Sequence, residues 1–277
     1  TSFTVSSSDD SSSDDSSSSG SGVFVVVGNS GTIMRSTNNG ESFDNVSSRT
    51  GTHFDDVAFG NDTFVAVGSS IKISRSTDNG TNWDNVTTRQ NKNLEDVTFG
   101  NNTFVAVGYN GRIVRSTDNG TNWDNATDSA TVKSLYGVTF GNNTFVAVGS
   151  EGKIVRSTDN GENWVTPDTP IGNKLTGVTF GNNTFVATGD YGNIVRSTDN
   201  GTNWDNATGP TGNDRTIWGV GFGNNIFVGF THGAKILRST DNGSSFSYVD
   251  NGVGNNLTDV TFGNNTFVGV GTHGNIV

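Results

Sequence analysis

Seven times along the chain a short apolar run ends at a glycine or threonine: VFVVVG from Val23, TFVAVG from Thr63, Thr103 and Thr144, TFVATG from Thr184, IFVGFT from Ile226 and TFVGVG from Thr266. The third unit shows the whole surrounding pattern. It reads LEDVTFG from Leu94, TFVAVG from Thr103, RIVRS from Arg112 and TNWDNAT from Thr121, four segments rich in Val, Ile, Thr, Phe and Trp. Such runs bounded by Gly and Asn predict strands. The GNN and DNG punctuation supplies residues that tolerate positive φ in tight turns. Apolar residues on both faces of TFVAVG predict a strand buried on both sides, as when sheets stack face to face. No segment carries helical periodicity, so each unit predicts a four-stranded antiparallel blade.

The arginines that follow the third strand, Arg35, Arg75, Arg115, Arg156, Arg196 and Arg238, are spaced by 40, 40, 41, 40 and 42 residues. A β-rich repeat of about 40 residues predicts a propeller. Seven copies of the second strand predict an all-β, seven-bladed β-propeller, a single domain over 1–277 with its repeats in 23–277. Residues 275–277 fall inside a third strand, and residues 1–5 resemble the start of a fourth, as in SSFSYV from Ser244. The expectation is a seventh blade closed by the N-terminal strand, which removes open sheet edges. The same strand entering a neighbouring subunit would give self-association by exchange and a head-to-tail fibre.

Residues 6–22 break the pattern. Aligned on the repeat, Asp14, Ser17 and Ser19 stand where other units have Leu, Val and Phe, and a strand of Ser and Asp cannot pack as its counterparts do. Composition favours a flexible acidic Ser-rich loop; the alternative is a stretch whose residue identities are open to question.

Sixteen basic against 27 acidic side chains give a net charge of −11, which disfavours a nucleic-acid partner, because phosphate contacts need clustered Lys and Arg. No apolar run is long enough to span a bilayer, and none resembles a signal peptide, so no membrane insertion is expected. The absence of an initiator methionine favours a processed chain. There is no cysteine, hence no disulfide, thiol nucleophile or cysteine metal site. Fourteen N-x-[ST] sequons occur. Those at Asn61, Asn101, Asn142, Asn182 and Asn264 in predicted hairpin turns, and Asn125 and Asn206 near the fourth strand, are candidate glycosylation sites on a secreted chain. A repeat that needs Asn-rich turns also multiplies sequons by accident.

The octet after each repeated arginine, STDNGTNW in its commonest form, resembles the Asp-box, or bacterial neuraminidase repeat. The resemblance implies a turn between the third and fourth strands in which an aspartate bonds turn amides and an aromatic packs beneath. It implicates Asp78, Asp118, Asp159, Asp199 and Asp241 with Trp83, Trp123, Trp164, Trp204, Phe43 and Phe246. The first copy has Asn38 at the aspartate position. A calcium loop built on Asp118, Asn119 and Asp124 is the competing reading, but the segment lacks the ligand spacing and terminal Glu of an EF-hand. No metal or cofactor is expected.

The Asp-box family includes sialidases and other glycosidases, and a sialidase-like enzyme would need three arginines converging on the axis. Six of the ten arginines are the repeated ones and cannot all converge; the others, Arg49, Arg89, Arg112 and Arg215, are scattered. The two-carboxylate alternative would draw on Asp56, Asp96, Glu151, Asp190 and Asp259, residues whose expected role is as solvated acids. No catalytic residue is assigned. A second branch of the resemblance leads to photosystem II assembly factors, non-enzymatic propellers that bind a membrane-protein partner.

Loops joining fourth to first strands vary where the strands repeat, and loops on a rigid scaffold carry specificity. Candidate ligand contacts are Arg49, His53, Arg89, Lys92, Tyr109, Lys133, Tyr136, Tyr191, Arg215, Trp218, His232 and His273. His232 and His273 occupy matching places but make a poor metal site without a third ligand. The resulting expectation is a non-enzymatic structural or binding propeller with an unidentified protein or glycan partner, extracellular or at the cell surface. The alternatives are an assembly factor in a periplasm or thylakoid lumen, and a glycosidase.

Overall fold

The structure is a computed structural model that describes residues 3–7, 22–69, 72–87, 93–126, 130–210, 215–233, 235–249, 256–272 and 275–277. These form seven antiparallel sheets of a β-propeller, and among them no helix is long and apolar enough to cross a membrane. The third sheet, or blade, is typical: Leu94–Gly100 innermost, then Thr103–Gly108, Arg112–Ser116 and Asp124–Asn125. Asn101 and Asn102 turn the first hairpin with φ of 48° and 56°, the paired positive φ that matches the twist of adjoining strands.

Thr103–Gly108 is buried throughout, and its alternation divides two cores. Phe104 and Ala106 pack with Val65, Val67 and Ile73 of the preceding blade. Val105 and Val107 pack with Leu135, Phe145 and Trp164 of the following one. Each side chain of about this size contributes ~1.5–3 kcal/mol when taken from water. At the inner end the blades approach closely: a Cβ on Gly100 would lie 2.1 Å from the Phe140 ring of the next blade. The innermost strands neighbour one another in chain order, and Phe3–Ser7 neighbours both Phe54–Gly60 and Leu257–Gly263.

The N-terminal strand is placed differently from the sequence expectation. Phe3–Ser7 pairs with Phe24–Gly28, Phe3 opposite Gly28 and Ser7 opposite Phe24, so it is the innermost strand of the first blade and not the outer strand of the seventh. The register explains why: Phe3 is opposite Gly28 as Leu94 is opposite Gly108, and Val5 opposite Val26 as Val97 is opposite Ala106. The Ser-rich segment therefore interrupts the first hairpin. Its assigned limits move inward, since Ser6 and Ser7 belong to the strand and Gly22 is buried; residues 8–21 lie outside those described. In the seventh blade Leu257–Gly263 and Thr266–Gly271 pair, and Ile276 bridges Val270.

The fourth strand is shorter than expected and in the fourth blade reduces to a bridge between Arg156 and Val165. The reason is Pro167. In the third and fifth blades Ala126 and Ala207 donate their amide N–H groups to Ile113 and Ile194; proline has none to give.

Between third and fourth strands the octet forms one repeated turn. In the second blade Ser76 donates to Asp78 Oδ1 at 2.8 Å, which also accepts from the Asn82 amide N–H at 2.8 Å, while Asn82 Nδ2 donates to Asp78 Oδ2 at 2.8 Å. Gly80 sits at φ 76° and its carbonyl accepts from Trp83 Nε1 at 3.0 Å. Asn38 preserves the arrangement in the first blade, accepting from the Ser42 amide N–H at 3.0 Å.

Candidate binding site at the channel mouth

In six blades the innermost strand carries a bulge one residue from its start. The extra residues are Asp55, Glu95, Tyr136, Thr176, Trp218 and Thr258, skipped by the ladder and turned toward the axis as bulges commonly re-aim side chains. All six line one cavity of about 380 Å³ at the mouth of the axial channel. The next position inward is Asp56, Asp96 and Asp259 on three blades and Gly137, Gly177 and Gly219 on the three between. One side of the mouth is thus acidic and the other lean. A second cavity of about 350 Å³ continues along the axis beyond Asp56, Asp96 and Asp259.

The deepest carboxyls are held by backbone. The Val97 amide N–H donates to Asp56 Oδ2 at 2.9 Å and to Asp96 Oδ1 at 2.8 Å, and the Val138 amide N–H donates to Asp96 Oδ2 at 2.6 Å. Burial pushes Asp56 well above the usual carboxylate range, aided by the neighbouring Asp96 charge and a hydrogen bond between the two side chains. Burial raises Asp96 as well, against the hydrogen bonds it accepts. Burial thus biases both carboxyls toward their protonated forms, and neither residue is the solvated acid expected from sequence.

Nearer the opening, burial pushes Asp55 up to about 7 and Glu95 to about 7, the latter helped by Asp55 and opposed by Lys174. His53 Nε2 lies 2.7 Å from Asp55 Oδ1. Burial lowers the histidine while raising the acid, so both groups are biased toward their neutral forms across this contact. Beside these acids the wall is aromatic. Tyr109 meets Tyr136 edge to face at 6.4 Å between centroids, and its hydroxyl is hydrogen-bonded to Glu95, whose charge is the main reason its pKa is raised. Lys174 Nζ stands 4.0 Å from the Tyr136 ring centroid and 6.0 Å from that of Trp218, and Trp218 is 37 % exposed.

Of the contacts nominated from sequence, His53, Tyr109, Tyr136 and Trp218 converge here. Arg49 instead pairs with Asp84 at 3.3 Å, both well exposed, and Lys133 pairs with Glu151 at 2.6 Å. Tyr191, 69 % exposed, does not line the cavity, and Arg215 Nη1 donates to the His232 carbonyl at 3.2 Å. Arg89, Lys92 and His273 lie outside the described residues. Of the acids weighed for hydrolysis, Asp56, Asp96 and Asp259 reach the axis, whereas Glu151 is taken by Lys133 and Asp190 accepts from Thr216 Oγ1 at 2.9 Å. Asp55, Glu95, Lys174, Thr176 and Thr258 were missed. For all but Lys174 the signal is present in the repeat alignment, where the bulge position is the variable one inside the otherwise repeated [LFI]-x-[DG]-V.

A model of the DUF6242 β-propeller domain matches residues 41–174, a little under half of the chain. No curated protein matches. Among solved structures the chain is similar to YCF48 from Cyanidioschyzon merolae, at 19 % identity and a TM-score of 0.72 over 92 % of this chain and 90 % of that one. It is likewise similar to YCF48 bound to D1 peptide, at 18 % identity and 0.76 over 92 % and 86 %. The computationally designed Ika8 protein is similar at 15 % identity and 0.70 over 92 % and 79 %. At these identities the likeness is one of β-propeller fold.

Proposed function

We propose that this chain is a non-enzymatic, seven-bladed binding propeller that takes a polypeptide segment of a protein partner at the bulge-lined mouth. The observation that carries the reading is the set of six bulged residues. Near-identical strands present Asp, Glu, Tyr, Thr, Trp and Thr to one cavity, and unlike side chains converging on a rigid frame are what selective recognition needs. The solved YCF48 structure with a D1 peptide supports a peptide as the type of ligand for this fold. Against hydrolysis stands the Asp56–Asp96 hydrogen bond, which brings the carboxyls nearer than the ~5 Å or more that glycosidase pairs require. An extracellular, glycosylated setting remains part of the proposal and is tested separately below.

The test is a library of linear peptides screened against the intact chain. Saturable binding that is lost in Trp218→Ala and Tyr136→Ala, with the melting midpoint unchanged, is expected. Peptides that bind both variants as well as the parent would remove the site from the mouth.

A further inference from the structure

Resting on the mouth as the binding site, we infer that it selects a cationic side chain of the partner, an arginine or lysine, and that Lys174 occupies this position until the partner displaces it.

An ammonium already stands on the aromatic wall. Lys174 Nζ lies over the Tyr136 ring and within reach of Trp218, the placement that draws a cation to an aromatic face. Among the described residues it makes no ion pair within 4.0 Å, so displacing it breaks no salt bridge there. The ring contact is distinct from the charge that Lys174 also exerts on Glu95, and it indicates the same ligand chemistry as the acids.

Charge balance points the same way. The carboxyls of Asp55, Asp56, Glu95, Asp96 and Asp259 line the cavity with Lys174 as the one cation among its lining residues, while burial holds His53 toward its neutral form. A phosphate or a chain-terminal carboxylate entering here would push these carboxyls further toward their neutral forms and find Lys174 as the one opposite charge in the lining. A guanidinium or ammonium would let Glu95 and Asp55 ionise and would stack on Trp218 and Tyr136. Lys174 is anchored one residue before the fifth inner strand, Leu175–Gly181, and its flexible stem allows the head to swing into water.

The experiment uses the intact chain with three fluorescein-labelled probes of alternating Gly and Ser carrying three arginines, three citrullines or three aspartates, read by anisotropy. Expected are saturable binding of the arginine probe, at least tenfold weaker binding of the citrulline probe and none of the aspartate probe. Lys174→Gln should tighten the arginine probe several-fold, Lys174→Arg should leave it near the parent value, and Glu95→Gln should weaken it. Equal binding of arginine and citrulline probes, absence of arginine-probe binding, or a Lys174→Gln variant that binds more weakly would overturn the inference. Library peptides that still bind at Trp218 in that event leave the mouth itself standing, whereas their indifference to Trp218→Ala would remove both.

Discussion

Asn264 Nδ2 donates a 2.7 Å hydrogen bond to Oδ1 of Asn39, tying the hairpin of the seventh blade to the octet turn of the first. Asn61 and Asn101 do the same toward Asn119 and Asn160, each at 3.1 Å. Arg75 reinforces the seam, its Nε donating to the Asn119 carbonyl at 3.2 Å. The junction of last and first blades is thus bonded like those between the second and third and between the third and fourth. A glycan would be attached through the same Nδ2 atoms. In a secretory host, glycopeptide mass spectrometry should find Asn61, Asn101 and Asn264 far less occupied than Asn206, exposed in an outer strand. Full occupancy of the three hairpin sites would show that these seams do not hold in the native ring.

The octet turns should behave as protein structure rather than as metal loops. Trp83 is fully buried, and Trp83→Ala should destabilise by about 3–5 kcal/mol. Asp118 is exposed, though its Oδ1 accepts from the Asn122 amide N–H at 2.9 Å; Asp118→Ala should cost about 1 kcal/mol. Denaturant titration measures both. A melting midpoint that falls by many degrees in chelator would reassign the turns to calcium.

Gly100→Ala should be poorly tolerated although the residue is not in a left-handed conformation. The added methyl would run into Phe140, and forcing extra volume into a packed seam costs about 1–3 kcal/mol. The double variant Gly100→Ala with Phe140→Leu should recover part of that loss, which a double-mutant cycle would read.

Acid should favour this fold down to about pH 4. Asp55 and Glu95, at about 7, and Asp56, raised well above the usual carboxylate range, keep protons in the folded state through burial, whereas the unfolded chain releases them near pH 4. Their contribution is therefore complete below about pH 4 and declines as pH rises toward 7. Groups facing them are His53, Asp96, Tyr109, Lys174 and Asp259. The turn carboxylates oppose this at lower pH. Slight burial resists ionisation at Asp78, Asp118, Asp159 and Asp241, but the turn hydrogen bonds outweigh it and hold them low, as they do at Asp199. What they add is lost as pH falls through the range below 4. Calorimetry from pH 3 to 8 should give a maximum near pH 4–5 and a decline toward 8, flattened by Glu95→Gln. A midpoint that climbs steadily to pH 8 would contradict the protonated mouth.

Much of the architecture was legible because each blade repeats the same physical solution. Alternation in TFVAVG gave the doubly buried strand, and Asn101-Asn102 gave its turn. What escaped was local. Phe3-Thr4-Val5 matches the inner-strand register, but the Ser-rich insertion separates it from its partner by more than a hairpin's length, so similarity to SSFSYV took precedence. Pro167 carried its message in plain view: one missing N–H shortens an outer strand. The mouth was half legible, since loops led to His53, Tyr109, Tyr136 and Trp218 while the bulge that turns Asp55, Glu95, Thr176 and Thr258 inward is a matter of ladder register. Lys174 was indistinguishable from any loop lysine until the fold set it above Tyr136.

The five tryptophans offer the most direct test of the mouth as binding site, because Trp83, Trp123, Trp164 and Trp204 sit in octet turns and Trp218 alone lines the cavity. In protein labelled with fluorotryptophan, titration with a library-selected peptide should shift the ¹⁹F resonance of Trp218, assigned by Trp218→Phe, and leave the other four in place. Saturation that moves any of those four while Trp218 stays fixed would contradict the account.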